Sequence, residues 1–173
     1  MKDNNKTNKL TNVLYIIYLI ALFWIILFKL NVPFSYMGNM RRINLTPFSG
    51  MNGQFFLGEI IMNVVIFVPI GIYAGILFKK WIIGKKLFLL FLISFICEVF
   101  QFILGVGVSD ITDIINNTLG GIIGLMIYKG IEKVFKNSGK TQKFINILAT
   151  IGTILMILFL ILLKTNKLWI RYQ

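Results

Sequence analysis

Four of the six acidic residues in this 173-residue chain lie in or beside stretches of sequence that are otherwise apolar. Carboxylates in such surroundings can transfer protons, hold a cation through oxygen ligands, or join helices through hydrogen bonds. Amide side chains that could act with them follow three or four residues later, which is the spacing of one helix face. The candidate polar binding site comprises Glu59, Asn63, Glu98, Gln101, Asp110, Asp113 and Asn117.

The residue types that are missing exclude most other chemistry. The sequence contains no His, which removes His general bases, Ser-His or Cys-His nucleophile systems and His metal ligands. Its single Cys, Cys97, can form neither an intrachain disulfide nor a cysteine metal cluster. We therefore predict no catalytic residue, no cofactor and no metal, and we favour a non-enzymatic protein. Any enzyme here would have to work through carboxylates alone.

Five apolar stretches must position these residues. Hydrophobic residues make up 57% of the chain and charged residues only 14%, which is too little charge to cover a water-soluble fold. About 20 helical residues cross the roughly 30 Å of hydrocarbon in a bilayer, and a helix satisfies its own backbone hydrogen bonds there. We predict an all-α fold, a polytopic membrane bundle of five transmembrane helices in a single domain over residues 1–173. The predicted helices cover about residues 10–30, 56–78, 87–105, 110–130 and 144–164.

The Lys and Arg residues predict how the bundle is oriented. With a cytoplasmic N-terminus, 12 of the 18 Lys and Arg residues fall in inside segments and 6 fall in outside segments. This bias favours an N-terminus in the cytoplasm and a C-terminus outside. The net charge of +12 is then explained by topology and by contact with anionic membrane lipids, so we predict no nucleic-acid binding.

This orientation places the four acids at a similar depth in the outer leaflet. Glu59 lies in the first turns of the second helix, Glu98 lies near the outer end of the third, and Asp110 and Asp113 begin the fourth. A carboxylate held deeper in the membrane costs about 3 kcal/mol or more, so such groups face a polar cavity, a partner or each other. Two alternatives stay open: Asp110 could simply cap its helix, and the whole set could be a structural network.

Small residues and one Pro predict how the helices approach each other. Gly120 and Gly124 continue the polar face of the fourth helix. Two small residues at this four-residue spacing allow the backbone of a neighbouring helix to approach closely. Pro69 removes a backbone donor inside the second helix and predicts a kink or a discontinuity, with Gly71 and Gly75 in the turns below. We favour a packing kink with a close-contact seam over a break that lines a cavity.

The outer loop from Asn31 to Gln54 contains two candidate charge partners for the acids. Arg41 and Arg42 could reach the acidic level from outside and either neutralise it or contact lipid headgroups. The alternative is that both side chains are ordinary solvated charges. We favour this alternative slightly.

Four motifs occur in order along the chain: NLTPF at 44–48, NVVIFVPIG at 63–71, EVFQ at 98–101 and DITDIINNTLGG at 110–121. In their order and spacing they resemble the motifs of the VanZ-like family. They cover about residues 40–130, and the stretch before Asp110 lacks an Arg that many members carry there. The resemblance implies a bacterial integral membrane protein, in a family whose named member confers resistance to teicoplanin and related lipoglycopeptides.

Two functional hypotheses follow from the polar site and the resemblance. The first is a multi-pass protein of the bacterial cell membrane that lowers susceptibility to teicoplanin-type lipoglycopeptides through an outward-facing polar site. Its partners would be membrane lipids together with a lipoglycopeptide or a lipid-linked cell-wall precursor. The second is a small carboxylate-dependent intramembrane enzyme or transporter that acts on a lipid-linked envelope substrate, for which a homo-oligomer could supply the symmetry that many transporters have.

Overall fold

The computed structural model describes residues 2–28, 40–48 and 57–164. Within these ranges five helices are long and apolar enough to cross a membrane, so the predicted five-helix membrane bundle is confirmed. The orientation of its termini stays a prediction. In chain order the elements are α1 (Lys2–Phe28), β1 (Met40–Asn44), α2 (Leu57–Leu77), α3 (Ile83–Leu104), β2 (Val106–Asp110), α4 (Ile111–Phe135) and α5 (Ser138–Lys164).

Several helices extend beyond the apolar stretches that predicted them. Hydropathy marks the part of a helix that suits hydrocarbon, whereas backbone hydrogen bonding continues into the polar flanks. The predicted bounds are therefore too short at four ends. The corrected positions are Lys2 for the start of α1, Ile83 for the start of α3, Phe135 for the end of α4 and Ser138 for the start of α5.

The connection between α4 and α5 is much shorter than the predicted loop. Lys136 adopts the left-handed conformation (φ 48°) and its backbone N–H donates to the carbonyl of Glu132, which ends α4. The side-chain oxygen of Asn137 accepts hydrogen bonds from the backbone N–H groups of Gly139 (2.9 Å) and Lys140 (3.0 Å). Asn137 thus satisfies orphan donors in the first turn of α5, and two residues suffice for the turn.

After α3 the chain turns back toward the bundle instead of leaving it. Gly105 ends α3 in the left-handed conformation (φ 62°), which glycine adopts without steric cost. β2 then runs parallel to β1, with Asn44 opposite Asp110. The predicted helix bounds left only residues 106–109 as a connection here, and the strand pair was not predicted. Because of this return, α4 begins beside Glu98. Glu98 lies six residues before Leu104, the last residue of α3, which is about 9 Å along the helix at 1.5 Å per residue.

The helices α2 and α4 approach each other backbone to backbone. A Cβ atom at Gly120 would meet the carbonyl oxygen of Val64, and one at Gly124 would meet the carbonyl oxygen of Val68. Such contact requires glycine, because any side chain would hold the two helices apart.

The helix α2 continues as one element through Pro69, so a discontinuity at that residue is wrong. The two glycines that follow face α4. A Cβ atom at Gly71 would meet the carbonyl oxygen of Gly121, and one at Gly75 would meet the ring of Tyr128. The C-terminal half of α2 therefore lies in close contact with α4.

An apolar core joins the first four helices, whereas α5 is attached chiefly to α1. The largest buried side chains of the core are Leu22, Phe67, Ile70 and Leu90. A polar network connects α1 with α5: Gln142 Nε2 donates to Thr11 Oγ1 at 2.7 Å, and Thr11 Oγ1 donates to Asn146 Oδ1 at 3.0 Å. Hydrogen bonds of this kind hold membrane helices together where lipid is as apolar as the helix surface.

Candidate functional site

Asp110 is the central residue of the polar cluster that forms where the strands meet the helices. Its backbone N–H donates to Glu98 Oε2 at 3.0 Å. Its carboxylate accepts from the backbone N–H of Thr112 at 2.7 Å and from Asn44 Nδ2 at 2.9 Å. The bond to Thr112 caps α4, so the capping interpretation applies to Asp110. The same side chain also joins β1 to the start of α4.

The segment that follows β1 is tied to the same place. The backbone N–H of Thr46 donates to Asn44 Oδ1 at 3.1 Å. The backbone N–H of Phe48 donates to Thr112 Oγ1 at 3.0 Å. In this segment, side-chain oxygens thus accept hydrogen bonds from backbone N–H groups that are not paired in a strand or a helix. The motif at 44–48 therefore has a structural role as a connector to α4.

A small cavity of about 250 Å³ lies between α1, α2, α3 and α4. We call it the polar pocket. Residues Ile25 and Ile26 of α1 and Met62 and Ile66 of α2 form its apolar wall. Six of the seven predicted site residues line it, and Asp110 adjoins it through its hydrogen bond to Glu98. The six are Glu59, Asn63, Glu98, Gln101, Asp113 and Asn117.

The amides of the polar pocket use their N–H groups within the protein. Asn63 Nδ2 donates to Asp113 Oδ1 at 2.6 Å, which links α2 to α4. Asn117 Nδ2 donates to Ser94 Oγ at 3.0 Å, which links α4 to α3. Gln101 Nε2 donates to a main-chain carbonyl of α1 at 2.9 Å. Because Gln101 and Asn117 use their N–H groups in these bonds, the orientation of each amide is fixed and its side-chain oxygen remains available as an acceptor.

Three oxygen atoms of the polar pocket are buried and accept no hydrogen bond from the described residues: Oε1 of Glu98, Oε1 of Gln101 and Oδ1 of Asn117. Their side chains are only 2%, 4% and 1% exposed. Buried polar atoms in proteins are nearly always hydrogen-bonded, and each one left without a partner costs about 1–3 kcal/mol. The arrangement therefore offers acceptors to a ligand that brings donors or positive charge.

The two predicted charge partners, Arg41 and Arg42, both belong to β1. Arg42 is exposed on β1, where it pairs with Val108, and the side chain of Arg41 is outside the described set. Their role as charge partners stays a prediction. In the described ranges no group of three or more His, Cys, Asp or Glu residues could hold a metal ion. The packing residues Pro69, Gly71, Gly75, Gly120 and Gly124 do not line the polar pocket.

Three residues of the network were not predicted: Asn44, Ser94 and Thr112. Ser94 precedes Glu98 by four residues, so its position on the same helix face could have indicated it. Asn44 and Thr112 lie inside the motifs at 44–48 and 110–121, but their roles depend on the strand pair. Only the return of the chain after α3 brings them together.

The bond between Asp110 and Asn44 can be tested through stability. We expect Asp110→Ala to lower the free energy of unfolding by about 2–4 kcal/mol, because it removes a helix cap and a hydrogen bond to a charged group. Asn44→Ala should cost less, about 1–2 kcal/mol, and the double variant should cost less than the sum of the two. Unfolding in mixed micelles measures these values. Asp110→Asn, which keeps an acceptor for the cap, is the control, and additive effects would contradict the coupling.

Comparison with known proteins gives the family. A family model described as VanZ/LLP1 matches residues 15–137, which include every residue of the polar pocket. Protein VanZ of Enterococcus faecium is 36% identical over 154 residues, covering 88% of this chain and 91% of that protein. No solved structure matches the chain. The matched region and the five apolar helices together show that this chain is a multi-pass bacterial membrane protein that belongs to the VanZ-like family.

Proposed function

We propose that this protein lowers the susceptibility of its cell to teicoplanin-type lipoglycopeptides through the polar pocket, acting by binding rather than by catalysis. The observation that carries the proposal is its 36% identity with Protein VanZ over 88% of the chain. Support comes from the motifs that the resemblance rests on, because Asn63, Glu98, Gln101, Asp113 and Asn117 all belong to them and all line one cavity.

The proposal requires that the polar pocket face the outside of the cell. The Lys and Arg bias supports this, because it puts the N-terminus of α1 in the cytoplasm and the C-terminal end of α1 outside. The polar pocket is at that outer end, since Gln101 donates to the carbonyl of Ile26 near the end of α1. A lipid-tailed drug or a lipid-linked cell-wall precursor would meet the protein in this leaflet.

A susceptibility comparison tests the proposal. In a sensitive Gram-positive host, we expect expression of the gene to raise the inhibitory concentration of teicoplanin severalfold and to leave that of vancomycin unchanged. The reason is that only teicoplanin carries a lipid tail that brings it to the membrane-embedded site. The same host with the empty vector is the control. An equal rise for both drugs, or no rise for either, would contradict the proposal.

A further inference from the structure

A second cavity, of about 800 Å³, lies between α3 and α4 on the side away from α1 and α2. We call it the apolar groove. Aromatic and aliphatic side chains form most of its wall, which also includes Ile43 of β1 and Leu45, the residue after that strand. Phe95 is 45% exposed and Leu119 is 47% exposed, so the groove opens on the lipid-facing surface. The apolar wall residues include Phe91, Phe95, Val99, Ile115, Leu119 and Ile122.

Glu98 lines both the apolar groove and the polar pocket. One of its oxygens, Oε2, is held by the backbone N–H of Asp110 at 3.0 Å. The other, Oε1, accepts no hydrogen bond from the described residues although the side chain is almost fully buried. A carboxylate at the wall of a lipid-facing groove is costly unless a partner compensates it. Glu98 therefore joins an apolar space to an acidic one and offers one acceptor oxygen where they meet.

The chemistry of the two spaces limits what can occupy them together. The polar pocket presents two further acceptor oxygens, from Gln101 and Asn117, in addition to the carboxylate oxygen of Glu98. These groups complement a positively charged head that donates several hydrogen bonds, and they disfavour an anionic one. The apolar groove complements a hydrocarbon chain, because its wall is as apolar as the surrounding lipid and a chain can leave the lipid for the groove without a cost in polarity.

From this juxtaposition we propose that Glu98 and the two cavities form one site for a lipid with a primary-ammonium head, the ammonium in the polar pocket and the chain in the apolar groove. The inference deepens the proposed function, on which it rests, by naming the class of molecule that the same site binds. A primary ammonium has three N–H donors, which matches the three acceptor oxygens of Glu98, Gln101 and Asn117.

Long-chain probes test the proposal on the purified full-length protein in nanodiscs of zwitterionic phosphatidylcholine. Dodecylamine is expected to raise the unfolding temperature, because it binds the folded state only. Dodecanol lacks the charge, dodecyltrimethylammonium lacks the N–H donors and methylamine lacks the chain, so each should have a clearly smaller effect. Equal stabilisation by any of these three, or by NaCl alone, overturns the assignment.

Two variants separate the head from the chain. We expect Glu98→Gln to weaken dodecylamine binding at least tenfold while keeping an acceptor for the N–H of Asp110. We expect Leu119→Trp, which narrows the apolar groove at a residue that does not line the polar pocket, to weaken dodecylamine binding as well. Met126→Trp is the matched control, because Met126 lies two turns further along the same face of α4, is 66% exposed and is outside the groove. Unchanged binding in Glu98→Gln and in Leu119→Trp overturns the proposal.

The ligand class and the proposed function can be overturned independently of each other. If the gene protects cells against teicoplanin but the protein shows no Glu98-dependent dodecylamine binding, the ligand class is wrong and the proposed function stands. If dodecylamine binds as described but the gene gives no protection, the ligand class stands and the proposed function is wrong.

Discussion

Replacing Gly124 by Ala is expected to lower the free energy of unfolding by about 1–3 kcal/mol, the range found when extra groups are forced into a well-packed interior. The added Cβ would overlap the carbonyl oxygen of Val68 and crowd the Cα atom of Gly71. Both are backbone atoms, so no side-chain rotation can relieve the contact, and α2 and α4 must separate. Their separation would also weaken the Cα–H···O contacts that close helix packing permits.

Gly130 provides the matched control for this prediction. It lies in α4 like Gly124, but a Cβ atom there would meet nothing within 4 Å. Since Ala favours a helix over Gly by about 0.8–1 kcal/mol, Gly130→Ala should leave stability unchanged or raise it. The two variants therefore differ in sign, although the chemical change is identical. Unfolding in mixed micelles, monitored by helical circular dichroism, measures both, and equal shifts would rule out the backbone contact as the cause.

The helices could be predicted from the sequence because a membrane imposes a simple requirement on them. A spanning helix needs about 20 apolar residues, and that requirement is visible without knowledge of any contact. The same reasoning indicated a common depth for Glu59, Glu98, Asp110 and Asp113. The structure brings these residues to one end of the bundle, and Glu98 meets Asp110 directly.

The pairings within the site could not be predicted in the same way. Whether Asn63 faces Asp113, or Asn117 faces Ser94, depends on the rotation of each helix about its axis, which hydropathy does not fix. The strand pair was missed for a different reason. Each strand has only five residues, and the pair is held by hydrogen bonds between residues far apart in sequence and by the bond of Asn44 to Asp110. Such contacts leave no periodic pattern in the local sequence that could indicate the strands.

The strand pair also changes how the acids are interpreted. Depth alone treated Asp110 as equivalent to Glu98, but the structure gives the two residues different surroundings. The carboxylate of Asp110 is engaged by Thr112 and Asn44, so its chief contribution is to hold β1 and α4 in place. Glu98 retains a buried oxygen without a partner in the described residues. Of the two, Glu98 is the residue that can meet a ligand.

Glu98→Gln is accordingly the substitution from which we expect the largest functional effect, a complete loss of teicoplanin protection. Gln has nearly the same shape and keeps an oxygen that can accept the N–H of Asp110, so the fold and the membrane insertion should persist. It removes the negative charge and places N–H donors beside the acceptors of Gln101 and Asn117, which can satisfy those oxygens internally and close the site to a ligand. Susceptibility testing, with the protein level measured in isolated membranes, gives the result.

The control makes the same Glu-to-Gln change at Glu132, near the end of α4 that is far from the polar pocket. Glu132 accepts a hydrogen bond from the hydroxyl of Tyr128 at 2.9 Å, and it lies 19 residues after Asp113, about 28 Å along the helix. Glu132→Gln keeps an acceptor for Tyr128 and should leave protection unchanged. Protection that survives Glu98→Gln at a normal protein level would show that the charge of the polar pocket is not needed. Protection lost in both variants would trace the effect to the net charge of the protein and away from the site.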